Sequence, residues 1–344
     1  VVIQIMLFKW TTDDGNVQVT KDGGKNWSNV TENLVGIPAN TWVYHIEASV
    51  HGKGTAYAVF EGHTSGDMKA YSLKTTDYGQ TWSNIISEDV HGFTRNIQED
   101  YESENLLFLG TEFGLYVTID GGKNWSKFEN NMPATAVHFM DLQKQTNDLV
   151  MGTHGRGVII IDDISPLREL SQEVLAQDVY FFKNKPFTML EDSGFSGSFG
   201  TETQFVGQSK NSAARIVYYL KKRHTFGKMK MEVFDMVGNK ITDLSPEKSK
   251  GINIITWDFN KNVPKMAQGK TLSFGGFTSP RVAAGKYKIV LTKGKKTYEQ
   301  IIEVNYDENS ITSLAERKEQ EALTETLFNM VEDLEINSSK KFYT

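Results

Sequence analysis

The sequence has no cysteine among its 344 residues. Disulfides, thiolate zinc sites and cysteine nucleophiles are therefore excluded, while export is not. Proline is scarce, at 7. No apolar run approaches the roughly 20 residues of a membrane-spanning helix. The longest, Val1 to Phe8, is interrupted by Gln4 and lacks the basic start and cleavage site of a signal peptide. Met is absent from position 1, so the chain reads as a fragment or a processed product. There is no phosphate loop, serine-nucleophile elbow or two-histidine helix motif. Nothing in the sequence calls for a cofactor or a metal. Glu61, His63 and Asp67 are the nearest to a metal-ligand group, and they read as a polar loop.

Positive charge is also short in the first half. Residues 1–168 hold 12 Lys and Arg against 21 Asp and Glu, whereas residues 169–344 hold 25 against 22. An acidic half is a poor partner for a phosphate backbone, so nucleic acid is not expected as a ligand.

What the chain does have is 29 glycines and 11% aromatic residues, a composition of short strands and tight turns. A motif recurs three times, around Asp22-Gly23-Gly24-Lys25-Asn26-Trp27, Asp77-Tyr78-Gly79-Gln80-Thr81-Trp82 and Asp120-Gly121-Gly122-Lys123-Asn124-Trp125. The Asp residues are 55 and 43 positions apart, the length of a four-stranded propeller blade. The expected chemistry is structural: Asp accepts backbone N–H groups, Gly (Gly24, Gly79, Gly122) supplies positive φ, and Trp (Trp27, Trp82, Trp125) opens the next strand. Strands are expected at 16–20, 55–60, 106–111, 115–118, 149–153 and 158–161.

These boxes resemble the Asp-box, or bacterial neuraminidase repeat, of sialidases, sortilin-type propellers and xyloglucan-cleaving propellers. The wider wording, including Gly110-Thr111-Glu112-Phe113-Gly114 and Gly152-Thr153-His154-Gly155-Arg156-Gly157, is similar to a family of large bacterial sortilin-like propellers often labelled glycosyl hydrolases. The resemblance implies about three to four blades over residues 1–168, the C-terminal part of a propeller whose amino-terminal blades are missing from the chain. It also implies a secreted protein, at the cell surface, in the periplasm or outside the cell.

Residues 169–209 read as a linker and loop, opened by a short helix over 165–175 with Ser165 as its cap and Arg168 at the linker. From 210 to 306, five or more alternating strands predict an immunoglobulin-like β-sandwich. The elements Asp235-Met236-Val237-Gly238, Gly251 to Asp258 and Gly285-Lys286-Tyr287 resemble the corresponding domain of flagellar hook-capping proteins, with Trp257 as a core anchor. Residues 307–344 carry a helix whose Leu323, Leu327, Met330, Val331 and Leu334 form an apolar stripe expected to dock on a neighbouring domain. The fold class is thus all-β: a partial Asp-box propeller, a sandwich and a C-terminal helix.

Two functions follow. The first is an interaction protein binding a polypeptide or glycan, with His154, Arg156 and Trp42 as candidate ligand contacts. The alternative is a glycoside hydrolase, which needs two converging carboxylates. Glu112, in a loop just after a strand, and Asp14, before Gly15, are the candidates. The arginines of the propeller portion are Arg95, Arg156 and Arg168, and no sialidase motif surrounds them, so an arginine triad is not expected. The two functions differ in where Trp10, Trp42 and Tyr44 lie: lining a groove near Glu112 or Asp14 favours the hydrolase, burial between blades favours binding.

Overall fold

The structure, a computed structural model, describes residues 13–129, 131–190, 213–264 and 279–341. The apolar start, Trp10 and the Gly-, Ser- and Phe-rich stretch 192–207 fall outside the described residues, as does the tail after Lys341. The chain divides into two units, Val1–Ser171 and Gln172–Thr344.

The first unit is a run of antiparallel meanders. It opens with β1 (Gln18–Val19) paired to β2 (Ser28–Asn29). A four-stranded blade follows, of β3 (Trp42–Ala48), β4 (Ala56–Gly62), β5 (Asp67–Thr75) and β6 (Ser83–Asn84). The next blade repeats it with β7 (Thr94–Glu99), β8 (Leu107–Thr111), β9 (Gly114–Thr118) and β10 (Ser126–Lys127). The last has three described strands, β11 (Ala136–Gln143), β12 (Asp148–His154) and β13 (Val158–Ile161). These are propeller blades, and they do not close into a ring among the described residues.

The second strand of each complete blade is buried throughout because both its faces are covered. Ala56, Ala58 and Phe60 face the first hairpin, in one cluster with Val17, Val19 and Val30. Tyr57 and Val59 face the other way, toward Ile97, Leu107 and Leu109 of the next blade. Phe108 of that blade then packs with Val137, Leu142 and Met151 of the last. A period of two with both phases buried is what stacked sheets require. Gly110 permits the closest approach: a Cβ there would lie 2.6 Å from the Val137 carbonyl oxygen.

The expected single helix over 165–175 is two, α1 (Ser165–Glu169) and α2 (Gln172–Ala176). Ser165 does not cap α1. It donates its hydroxyl and backbone N–H to Asp163, which sits one residue before the cap position with φ of 50°. Arg168 belongs to the first unit rather than to a free linker. Its guanidinium grips Asp100 through Nε and Nη2, reaches the Asn147 side chain and Glu102, and lies 4.7 Å over the Tyr101 ring.

The second unit packs two sheets around one core. One contains β14 (Val179–Phe181), β16 (Ala214–Leu220) and β19 (Gly251–Trp257). The other runs β15 (Phe187–Met189), β21 (Lys296–Tyr306), β20 (Gly285–Lys293), β17 (Met229–Asp235) and β18 (Lys240–Leu244). Ile216, Tyr218 and Trp257 from the first meet Met231, Ile289 and Ile302 from the second. Trp257 is buried edge-on against Tyr287 at 5.3 Å and donates its indole N–H to the Asn260 carbonyl. α3 (Leu314–Lys341) follows the sandwich. It rests on its own unit by its polar side: Arg317 lies 4.3 Å over the Tyr306 ring, and Glu325 pairs with Lys261. The apolar stripe expected to dock points elsewhere, with Leu323, Leu327 and Met330 exposed and the side chain of Leu334 outside the described residues.

Candidate functional site: the rim of the inner strands

The three Asp turns are built alike. Asp22 accepts the backbone N–H groups of Lys25 and Asn26 and the Asn26 side chain, while Thr20 donates to it and receives the Gly24 N–H. Asp77 with Thr75, Gly79 and Thr81, and Asp120 with Thr118, Gly122, Lys123 and Asn124, repeat this pattern. The hydrogen bond from the Thr81 side chain, then that from its backbone, holds the Asp77 carboxyl down at about 2. These carboxylates are fully engaged in local bonds.

Each turn also presses on the blade before it. A Cβ at Gly79 would meet Val30 at 2.9 Å, and one at Gly122 would meet Ile85 at 2.8 Å. Val30 and Ile85 stand three residues after the Trp of the preceding box. The first box has no such neighbour among the described residues, so Trp27 is the exposed one of the three tryptophans, while Trp82 and Trp125 are buried.

A second set of equivalent positions lies at the opening of each inner strand. β3, β7 and β11 all carry a bulge there, between Val43 and His45, Thr94 and Asn96, and Val137 and Phe139. A bulge adds one residue and re-aims its side chain. The added residues are Tyr44, Arg95 and His138. Just before each bulge stand Trp42, Phe93 and Ala136, and across from these stand Glu61, Glu112 and His154. Trp42 pairs with Glu61 and Ala136 with His154. Glu112 donates its N–H to the Phe93 carbonyl.

These residues meet in one rim. The Arg95 guanidinium lies between the Tyr44 ring, at 4.8 Å, and the Phe93 ring, at 5.0 Å. Trp42 and Tyr44 are 5.0 Å apart, and Tyr44 and Phe139 6.3 Å, giving a row of three rings. Phe139 is 59% exposed. Arg95 Nη1 is 3.2 Å from the carboxylate of Glu61, which is fully buried and also contacts His63 Nδ1. His63 stacks on Phe93 at 4.8 Å. His138 and His154 stack at 5.3 Å. Desolvation, then the charges of Arg95 and His154, push the His138 imidazole below its usual range, which favours its neutral form.

Trp42, His154 and Glu112 therefore come together at the rim. Asp14 is exposed in the turn ahead of Gly15, and Arg156 is exposed at the tip of the β12–β13 hairpin. Asp67 is bonded to the Tyr71 hydroxyl at 2.7 Å, and no group of three or more metal-ligating side chains occurs among the described residues. None of the bulge residues is a ligand candidate in the sequence, where Tyr44 serves only to tell a groove from a buried position, and Arg95, His138 and Phe139 are missed as rim residues. The signal for them is the recurrence, 51 and then 43 residues on, of a large polar or aromatic residue at one strand position.

No protein-family model matches the chain, and no curated protein matches it. Solved structures do. A structure of YCF48 bound to D1 peptide is 20% identical, with a TM-score of 0.34, covering 44% of this chain and 45% of that one. A GH74 enzyme from Niastella koreensis is 16% identical, with a TM-score of 0.36, covering 44% of this chain and 26% of that one. The extracellular domain of the putative hybrid two component system BT4673 from B. thetaiotaomicron is 9% identical, with a TM-score of 0.32, covering 86% of this chain and 34% of that one. The chain thus spans less than half the length of each of these structures.

Proposed function

We propose that the chain is part of an exported propeller interaction protein of the Asp-box, sortilin-like kind, which binds a polypeptide or glycan across the inner-strand rim. In this reading the immunoglobulin-like sandwich supports or presents the propeller. The observation that carries it is the row Trp42, Tyr44 and Phe139 with Arg95 fixed beside it. Flat rings with one oriented cation offer stacking area and hydrogen-bond donors to an extended ligand. Glu61, across from Trp42, is ion-paired with Arg95 and lies against His63.

A glycoside hydrolase is the second reading, and the place of Trp42 and Tyr44 favours it, because both line the rim beside Glu112 rather than being buried between blades. Glu112 lies beside the rim, as that reading requires, and its Oε2 is buried without a hydrogen-bond partner. A hydrolase needs a second carboxylate across the sugar, about 5 to 9.5 Å away, and Glu61, at the equivalent position, is ion-paired with Arg95.

The test is a panel of polysaccharides and an array of peptides. It reads retention and reducing-sugar release for the wild type and for Tyr44→Ala, Phe139→Ser, Glu112→Gln and Asp14→Asn. Retention that falls at least tenfold in the two ring variants, with no release, is the expected result. Sugar release abolished in Glu112→Gln or Asp14→Asn replaces binding with hydrolysis and places the carboxylate. Retention unchanged in both ring variants removes the rim as the site.

A further inference from the structure

Three loops of the second unit meet at one end of its sandwich. They join β16 to β17 (residues 221–228), β18 to β19 (245–250) and β20 to β21 (294–295). Strand pairing sets them side by side, because Leu220 pairs with Gly251 and Met229 with Lys293. Backbone hydrogen bonds then tie them together. His224 donates its N–H to the Lys248 carbonyl, and Gly294 donates its N–H to the Lys228 carbonyl. The buried Asn253 side chain fixes the middle loop by accepting the Ser249 N–H and donating to the Ser249 and Gly251 carbonyls.

Charge is concentrated on these loops. The first carries Lys221, Lys222, Arg223 and Lys228. The second carries Lys248 and Lys250, and Lys295 and Lys296 stand at the third. Their one acid is Glu247. All eight cations are exposed. None of them forms an ion pair among the described residues, because the acids of the adjoining strands pair with other cations: Asp178 with Lys293, Asp243 with Lys240 and Glu299 with Lys288. Holding like charges together on hydrogen-bonded loops works against their mutual repulsion, and an anionic partner relieves it.

Phe226 decides which anion. It lies between Arg223 and Lys228 in the first loop and is 90% exposed. A soluble polyanion would meet the cations and leave this ring in water. A single-stranded nucleic acid would stack on several rings along a groove, and these loops hold one ring. An anionic bilayer takes both parts: the ring enters the boundary between headgroups and acyl chains, and the cations stay at the lipid phosphates on their long stems.

We propose that this end of the sandwich is a peripheral docking surface for an anionic lipid bilayer, with Phe226 as the inserting side chain and the cations of the three loops on the headgroups. The contact lies on the membrane and needs no spanning segment.

Co-sedimentation of the full chain with vesicles tests this. One set is phosphatidylcholine alone, and the other is phosphatidylcholine mixed with phosphatidylglycerol. Binding to the anionic vesicles is expected to be at least tenfold tighter and to weaken as salt rises. The double variant Lys222→Glu, Lys295→Glu changes two loops at once and is expected to lose at least tenfold. Phe226→Ser is expected to lose about fivefold. Circular dichroism of both variants should match the wild type, since all three side chains are exposed. The chain has no cysteine, so Thr225→Cys supplies one thiol for a polarity-sensitive dye beside the ring. Its emission should shift to the blue on anionic vesicles and stay unchanged with heparin. Equal binding to the two kinds of vesicle, no binding to either, or full binding by the double variant overturns the proposal. So does full binding by Phe226→Ser or an unshifted dye, either of which would make the surface a site for a soluble polyanion.

Discussion

The first unit repeats two things from blade to blade, and it treats them differently. At the outer turns both the geometry and the residues recur: Thr, Asp, Gly and Trp hold the same bonds around Asp22, Asp77 and Asp120. At the rim the geometry recurs and the residues change. The bulge holds Tyr44, then Arg95, then His138, and the facing position holds Glu61, then Glu112, then His154. A fold needs each blade to solve the same stapling problem, so the turn chemistry is uniform. A ligand is asymmetric, so a surface that recognises one has to differ from blade to blade. Substitutions at the turns and packing clamps should therefore cost stability, and substitutions at the rim should cost binding alone.

The largest loss is expected from Arg168→Ala. It strands Asp100, whose side chain is fully buried, without its bidentate partner. Breaking a buried pair from one side costs about 3–5 kcal/mol, readable as a shift in the urea midpoint of the first unit. A midpoint within experimental scatter of wild type would mean that the clamp does not hold the last blade to its neighbour.

Gly122→Val comes next. Position 122 has φ of 94° and a Cβ would sit 2.8 Å from that of Ile85. Backbone strain and overpacking together cost about 2–4 kcal/mol. The matching change Gly24→Val meets no blade, because a Cβ there has only Trp27 near it, at 3.9 Å. It should lose the backbone strain alone, about 1–2 kcal/mol. Equal losses at the two sites would show that the turns do not staple blades together.

The β13 edge offers a third contrast. Val158 and Ile160 are exposed on the last described strand of the last blade, and such an edge pairs with other chains. The chain should associate in light scattering, and Ile160→Lys should reduce that association. A monodisperse monomer for the wild type contradicts this.

The uniform and the variable positions also differ in how far the sequence reveals them. The turns are legible because every partner of Asp22, Asp77 or Asp120 lies within four residues, so the motif contains its own hydrogen bonds. The buried second strands are legible as apolar runs. The inner strands are not. The bulges at Tyr44, Arg95 and His138 interrupt the period of two, and Thr94-Arg95-Asn96-Ile97-Gln98-Glu99 does not read as a strand. Arg95 looks like an isolated cation in the sequence, because its partners Tyr44 and Glu61 stand 51 and 34 residues away. The helix α3 misleads for the opposite reason. Its apolar spacing is real, and its polar side has better local partners in Tyr306 and Lys261.

Acid sharpens the contrast within the turns. Asp77 is held at about 2, chiefly by the Thr81 side chain and backbone, and Asp22 and Asp120 are shifted down as well. A carboxyl whose folded value lies below its unfolded value of about 3.9 favours the folded state when ionised. The contribution is therefore complete above about pH 4 and is lost as pH falls from there toward 2. Unfolding midpoints of the first unit should decline across that window, and Asp77→Asn should flatten the decline. A variant as acid-sensitive as the wild type would remove Asp77 from the account.

The smallest expected change in stability is the one that separates the two regions most cleanly. Phe139 is 59% exposed, and its ring touches Tyr44 at 6.3 Å without entering a core. Exposed substitutions away from caps and clamps move stability by about 0.5 kcal/mol or less. Phe139→Ser should therefore leave the Tm within about 2 °C of wild type while lowering retention of a rim ligand at least tenfold. The turn variant Asp120→Ala should do the reverse, losing stability of about 1–2 kcal/mol with retention unchanged at temperatures where the unit is folded. If Phe139→Ser destabilised the unit as much as Asp120→Ala does, the rim would be part of the stapling that holds the blades. The blade-to-blade variation of its residues would then reflect packing rather than recognition.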